Sequence, residues 1–252
     1  FGGGNVATST LTQTVDLSGA AGGIDTGTTP FKLSGFLGGA LARHWAAAGH
    51  ELALLLRPTS SVRRIRTVQT QCRIARCADD DEIHTLVAEF APDAVVHTAC
   101  CYGRNQQTAL EVFDANVRLG MVLLQALLSG APDRGVNFLN TGSVLGAEVS
   151  LYALSKAQFA QWGNRLAAQA GPPLRFIDAR LQHMYGPDDD ASKFTTHVLH
   201  ACHDHVERLT LTPGEQRRDF IYIDDVVSAY DTLLRHAGQL AKADAVDVGS
   251  GE

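Results

Sequence analysis

Tyr152 and Lys156 stand four residues apart in Tyr152-Ala153-Leu154-Ser155-Lys156, which sets a phenol and an ammonium on one face of a helix. An adjacent ammonium can lower a phenol pKa from its ordinary value of ~10, and a tyrosine needs that help to exchange protons near neutrality. With 5 tyrosines, and lysines only at Lys32, Lys156, Lys193 and Lys242, random placement gives about 0.08 such spacings. The plainer account of the pair is a half-buried helix start with a solvated lysine. Just upstream, Phe138-Leu139-Asn140-Thr141-Gly142-Ser143 ends a strand in hydroxyls, at the carboxyl edge of a sheet where ligands usually bind. Thr141 can hydrogen-bond a carbonyl there, with Ser143 as a second hydroxyl. Proton transfer at a carbonyl or alcohol is the chemistry these residues suit.

A hydride carrier would sit at Gly35-Phe36-Leu37-Gly38, which opens a helix whose N-terminus favours a pyrophosphate. A dinucleotide fingerprint wants an earlier glycine and a strand in front. Lys32 occupies the position three before Gly35, and Pro30-Phe31-Lys32-Leu33 is a poor strand. Either Thr12 to Leu17 supplies the first strand through an enlarged loop, or that strand is missing from this sequence. A helix packed through small residues is the plain alternative. Arg57 follows the strand Glu51 to Leu56, where NAD-binding proteins often place an acidic residue against the ribose. A guanidinium suits a 2′-phosphate instead, and Ser60, Arg63 and Arg64 are near. NADP(H) is therefore the expected cofactor, with NAD(H) as the alternative, unless Arg57 is ordinary surface.

The elements that must position these residues alternate along the chain. A helix from Ala40 to Ala48 closes at Gly49, and then come a strand at 51–56, a helix at 82–90 and a strand at 94–98. A helix at 113–128, a strand at 136–140, a helix at 152–170 and a strand at 174–179 follow. This is the pattern of an α/β, Rossmann-type doubly wound parallel sheet covered by helices on both faces. The expected boundaries are a poorly structured Gly/Thr-rich segment over 1–30, a dinucleotide-binding domain over 31–184, and a small substrate lobe over 185–252. That lobe interleaves with returning sheet elements at 219–234 and 245–248, and it reads as incomplete: the chain starts at Phe1 and stops at Glu252, directly after a strand.

Lys+Arg 21 against Asp+Glu 27 leaves a net charge of -6, which argues against sequence-independent binding to nucleic acid or an anionic membrane. At 45% hydrophobic and 19% charged, the 252 residues can bury a core, and no apolar run reaches the ~18 to 20 residues of a membrane span. The five cysteines, Cys72, Cys77, Cys100, Cys101 and Cys202, form no CxxC pair and suit reduced thiols in a cytoplasmic protein. His197, His200 and His203 recur at helical spacing, but no familiar partner completes a metal site, so no metal is expected. Asp188-Asp189-Asp190 reads as a solvated turn.

The hydroxyl, Tyr and Lys together resemble the short-chain dehydrogenase/reductase superfamily, in its extended branch that acts on nucleotide-linked sugars. Val95-Val96-His97-Thr98-Ala99, Arg180-Leu181-Gln182-His183-Met184-Tyr185-Gly186-Pro187, Arg217-Arg218-Asp219-Phe220 and Val248-Gly249-Ser250-Gly251 agree, so the resemblance spans about Gly35 to Glu252. Cys101-Tyr102-Gly103-Arg104-Asn105, Ser150 to Phe159 and Tyr185 to Phe194 resemble the CDP-abequose and CDP-paratose synthase group, which reduces a 4-keto-3,6-dideoxy sugar. The resemblance implies that Thr141 orients the sugar oxygen, Tyr152 transfers the proton and Lys156 holds the nicotinamide ribose, with Thr98 at the cofactor. It places Arg218 at the substrate diphosphate, unless it pairs with Asp219 or Asp224. His183 and Lys193 are further substrate contacts, although a packed histidine is nearly as good an account of His183. Gly142-Ser143 lacks the Asp-Glu that dehydratases carry after their Thr, which points away from dehydration. The expected activity is reduction of a nucleotide-linked, CDP-type 4-keto sugar by NADPH. A 4-epimerase with tightly held NAD and a non-catalytic or truncated dinucleotide-binding relative are the alternatives, and a homodimer is expected by analogy.

Overall fold

A computed structural model describes residues 35–251 apart from 59, 105, 131–134, 171–173, 192, 212–214 and 216. The Gly/Thr-rich segment over 1–30 and the strand expected at Thr12 to Leu17 lie outside the described residues. Two compact units emerge. The larger comprises Thr29–Arg180 and Val227–Asp247; the smaller holds Leu181–Val226 and Val248–Glu252.

In the larger unit, helix α1 (Gly35–Ala47) leads into β1 (Leu52–Leu56), which pairs in parallel with β2 (Cys72–Arg76). Sequence reading missed β2 because Cys72-Arg73-Ile74-Ala75-Arg76 is short and only partly apolar. Helix α2 (Asp80–Phe90) starts where the Asp79 side chain accepts the Glu82 N–H at 2.9 Å. It leads to β3 (Ala94–His97), parallel to β4 (Val136–Ser143). Between these strands, α3 (Ala109–Phe113) runs through a π-helical turn at Asp114–Arg118 into α4 (Leu119–Gly130). By length and composition Ala109–Ser129 could cross a membrane, which the sequence expectation did not allow for. Half of its most apolar window is buried within the protein.

Helix α5 (Leu151–Gln169) begins at Ser150, whose hydroxyl accepts the Ala153 N–H at 3.2 Å. This cap fixes the first turn, the one that carries Tyr152. Strand β5 (Leu174–Leu181) follows, and the central sheet runs β3-β4-β5-β8, with β8 at Ala243–Val248. The β1-β2 pair is a separate sheet among the described residues.

The core under this sheet is aromatic. Phe138 of β4 and Phe176 of β5 stack at 5.5 Å, and Phe159 of α5 meets them edge-on at 5.9 and 5.7 Å. All three are fully buried, each stabilising the fold by roughly 1.5 to 3 kcal/mol. Gly163 admits α5 to this stack, since a Cβ there would strike the Phe176 ring.

The smaller unit pairs β6 (His183–Tyr185) with β7 (Phe220–Tyr222) in parallel and carries α6 (Phe194–His203). Ser250 donates its hydroxyl to the Asp219 carboxylate at 2.7 Å, which ties the Val248-Gly249-Ser250-Gly251 stretch to the start of β7. Helix α7 (Ile223–Arg235) continues from β7 and contributes Tyr230 to the larger unit.

Candidate active site

Thr141 and Ser143 close β4, and Tyr152 and Lys156 occupy successive turns of α5. The Ser143 hydroxyl hydrogen-bonds the Tyr152 phenol and favours its ionised form, but burial dominates and pushes the phenol well above its usual pKa. The Tyr152 ring packs 4.9 Å from Tyr102. Lys156 is buried, and its ammonium donates to the Ala99 carbonyl at 3.1 Å. Burial lowers its pKa, while Cys100 and Asp178 act in the opposite direction. The phenol is thus protonated at neutral pH, and Lys156 is not among the groups that shift it, contrary to the lowering expected from the sequence.

Several partners of this set escaped sequence reading. The buried Tyr230 phenol donates to Thr141 Oγ1 at 3.0 Å, so the threonine oxygen is held from behind by a second tyrosine. Asn116, inside the π-helical turn, is fully buried and bonds both the N–H and the carbonyl of Cys101, at 2.7 and 2.8 Å. The same amide reaches Ser155 Oγ at 2.9 Å, which links the segment after β3 to α5. A π turn re-aims side chains within a helix and recurs at functional sites. A polar rung crosses three strands above the aromatic core: His97 Nδ1 meets Asn140 Oδ1 at 3.1 Å, and Asn140 Nδ2 donates to Asp178 Oδ1 at 2.7 Å. Gly142 belongs to this rung, because a Cβ there would strike the Asp178 carboxylate. The dehydratase-type carboxylate is absent from residues 142 and 143, but a buried one from β5 fills the space.

The cofactor candidates also converge in part. A Cβ on Gly38 would lie 2.9 Å from Thr98 Oγ1, so glycine lets the start of α1 close on the end of β3. That is the helix–strand packing a dinucleotide fingerprint requires of its last glycine. Phe36 and Leu37 are buried, so their backbones rather than their side chains are available to a pyrophosphate; Gly35 begins the helix. Arg57 is half-buried at the end of β1, and burial lowers its pKa to about 10 while the nearby Cys101 acts oppositely. Arg76 braces the loop after Arg57, donating to the carbonyls of Pro58 at 2.7 Å and Ser60 at 3.0 Å. These residues fit the adenosine and pyrophosphate portion of a dinucleotide, and Lys156 fits a ribose hydroxyl near the reacting end.

In the smaller unit, His183, Lys193 and Arg218 form one electrostatic cluster. Burial, then the charges of Arg218 and Lys193, depress the His183 pKa to about 4, against the opposing pull of Asp219. His183 is therefore neutral near pH 7. Lys193 Nζ pairs with Asp189 Oδ1 at 2.9 Å, and the Asp189 side chain is 1% exposed, so Asp189 is a buried ion-pair partner and not part of a solvated turn. Among the described residues, no three His, Cys, Asp or Glu side chains gather as a metal site.

An α/β sheet with Thr, Tyr and Lys at the carboxyl end of its central strands, and a helix opened by glycines, defines an oxidoreductase of the short-chain dehydrogenase type. Residues 33–249 match the NAD dependent epimerase/dehydratase family, and the chain belongs to that family. It is 28% identical over 228 residues to the CDP-abequose synthase of Salmonella typhimurium strain LT2, covering 86% of this chain and 73% of that protein. It is 31% identical over 227 residues to the CDP-abequose synthase of Salmonella muenchen, covering 86% and 72%. Among solved structures, the UDP-glucose 4-epimerase of Thermus thermophilus in complex with NAD superposes with a TM-score of 0.67 at 24% identity, over 87% of this chain and 76% of that one. A short chain dehydrogenase from Burkholderia cenocepacia J2315 in complex with NADP gives 0.65 at 19% identity, over 85% and 92%.

Proposed function

We propose that this enzyme reduces the 4-keto group of a nucleotide-linked deoxysugar, with CDP as the nucleotide and NADPH as the reductant. The observation that carries the reading is the placement of the Tyr152 phenol, hydrogen-bonded by Ser143 at the end of β4 and one helical turn before the buried Lys156 ammonium. Similarity to two CDP-abequose synthases supports the substrate class.

When bound, the reduced nicotinamide supplies a hydride from C4 to the ketone carbon. Thr141 orients the ketone oxygen, and the Tyr230 hydrogen bond fixes the direction of the threonine lone pairs. Tyr152 gives its proton to that oxygen as alkoxide charge develops, and the Lys156 ammonium stabilises the phenolate left behind. A raised phenol pKa suits this direction, because the proton stays on Tyr152 until a stronger base forms.

Lys156 also binds the nicotinamide ribose, the backbone of Gly35 to Gly38 receives the pyrophosphate, and Arg57 receives the 2′-phosphate that distinguishes NADP. Thr98 lines the cofactor beside Gly38. In the smaller unit, Arg218 and Lys193 hold the substrate diphosphate, and the neutral His183 hydrogen-bonds it.

The test is Tyr152→Phe. Turnover should fall by about 10²- to 10⁴-fold, the range of a lost general acid, while NADPH affinity by nicotinamide fluorescence changes no more than a few-fold. Near-normal turnover in that variant contradicts the mechanism.

A further inference from the structure

Residues 57–76, from the end of β1 to the end of β2, hold six arginines and neither Asp nor Glu, in a chain whose net charge is -6. Arg73 is bonded to Glu89 of α2. Arg76 is bonded to backbone carbonyls instead, and to no carboxylate among the described residues. We propose that Arg76 is a second specificity-determining residue for the cofactor, which binds the 2′-phosphate of NADPH together with Arg57. The inference rests on the reading of Arg57 and NADPH given above.

Strand pairing brings the two residues together. In the parallel β1–β2 register Leu56 is the direct partner of Arg76, and the Cys77 N–H donates to the Leu56 carbonyl at 3.1 Å. Arg57 and Arg76 therefore stand side by side at the carboxyl ends of adjacent strands, the edge at which open α/β sheets bind their ligands. The contact is direct. Arg76 Nη1 donates to the Arg57 carbonyl at 3.1 Å, and to the carbonyls of Pro58 and Ser60 at 2.7 and 3.0 Å. One terminal nitrogen thus gathers the loop and anchors the guanidinium beside Arg57. Among the described residues Nε and Nη2 of Arg76 make no hydrogen bond, so the other edge of the planar group keeps its donors for a ligand.

The rest of the segment is fixed against the helix that opens the cofactor end. Ile65, in the short turn Arg63–Ile65, is buried in a cluster with Ala42 of α1 and Val68. A Cβ on Gly39 would lie 3.0 Å from Arg64 Cβ, so glycine lets α1 close on this turn. A phosphomonoester carries roughly -1.5 to -2 charges near neutral pH, and a single guanidinium leaves much of that unmatched. Two guanidinium forks at adjacent strand ends supply the missing charge and bidentate donors, at a place where NADH offers only a hydroxyl.

The test compares NADPH with NADH by nicotinamide fluorescence in Arg76→Met and Arg76→Lys. Loss of one charge-assisted contact should weaken NADPH binding about 10- to 100-fold in Arg76→Met, while binding of NADH, which lacks the phosphate, changes less than about threefold. Arg76→Lys keeps the charge and loses the fork, so its NADPH affinity should fall between the two, and it decides the matter if Arg76→Met does not fold. Adenosine 2′,5′-bisphosphate, used as a competitor, should lose affinity in parallel with NADPH, whereas 5′-AMP should not. Equal weakening of NADPH and NADH would reduce Arg76 to a brace and overturn the proposal. Unchanged NADPH binding in the variants that fold would overturn it as well. Arg57→Met runs in parallel: if the parent does not favour NADPH and Arg57→Met alters nothing, the cofactor reading fails and takes this proposal with it. If Arg57→Met abolishes the preference while the Arg76 variants keep it, only the role of Arg76 fails.

Discussion

A buried, neutral histidine, His97, packed against Phe138 and Phe159 gives the fold a marked sensitivity to acid. The His97 pKa falls to about 3 in the folded protein, against about 6.5 in an unfolded chain. The unfolded state therefore binds more protons between those values, and stability rises with pH across that interval. The contribution is complete above pH 6.5 and lost as the pH falls toward 3. His183, depressed to about 4, acts in the same direction. Urea unfolding at about pH 7, 5.5 and 4.5 should show falling stability in the parent and a shallower fall in His97→Gln, and parallel slopes would contradict the assignment. At this scale, Thr141, Ser143, Tyr152 and Lys156 could be picked out as candidates because short spacings within one strand end and one helix turn bring them forward. Tyr230, Asn140 and Asp178 were not. Tyr230 meets Thr141 across 89 residues and Asp178 meets Asn140 across 38, and no local pattern encodes such a pairing. Asn116 did carry a signal, as an amide on the buried side of an apolar helix, which is costly unless it is fully bonded.

Helices and strands carry the second layer of the account. Most helix positions followed from apolar periodicity and caps, with the observed ends within a few residues of expectation. The π turn at Asp114–Arg118 was not legible, because it reflects Asn116 satisfying Cys101 and Ser155 rather than any propensity of the segment. Neighbouring helices α3 and α5 expose apolar side chains, with Leu110 at 73% and Phe113 at 46% on the first and Leu154 at 38% and Trp162 at 55% on the second. The homodimer expected from the sequence by analogy has its test on these helices. Sedimentation at micromolar concentration should show a dimer for the parent and a monomer for Trp162→Glu. A parent that stays monomeric removes the proposal.

The molecule as a whole is an α/β enzyme built from a dinucleotide-binding sheet and a smaller unit, and alternation of helix and strand was enough to reveal that class. The sheet is divided among the described residues, with β1-β2 apart from β3-β4-β5-β8, and the first strand expected upstream of Gly35 lies outside them. The two ends of the proposed reaction nevertheless have separate signatures: a protonated phenol with its lysine in the larger unit, and the Lys193 and Arg218 charges around a neutral His183 in the smaller. With a net charge of -6, the protein would need local positive charge of this kind to attract an anionic nucleotide sugar under the proposed reading. The central claim is net reduction, and cofactor stoichiometry tests it most directly. The purified enzyme would be mixed with a CDP-linked 4-keto deoxysugar and either NADPH or NADH, with nicotinamide absorbance and sugar product followed together. The account predicts one NADPH oxidised for each 4-hydroxy sugar formed, and slower oxidation of NADH. Conversion of a 4-hydroxy nucleotide sugar to its epimer with no net change in nicotinamide, or no oxidation of either cofactor, would contradict it.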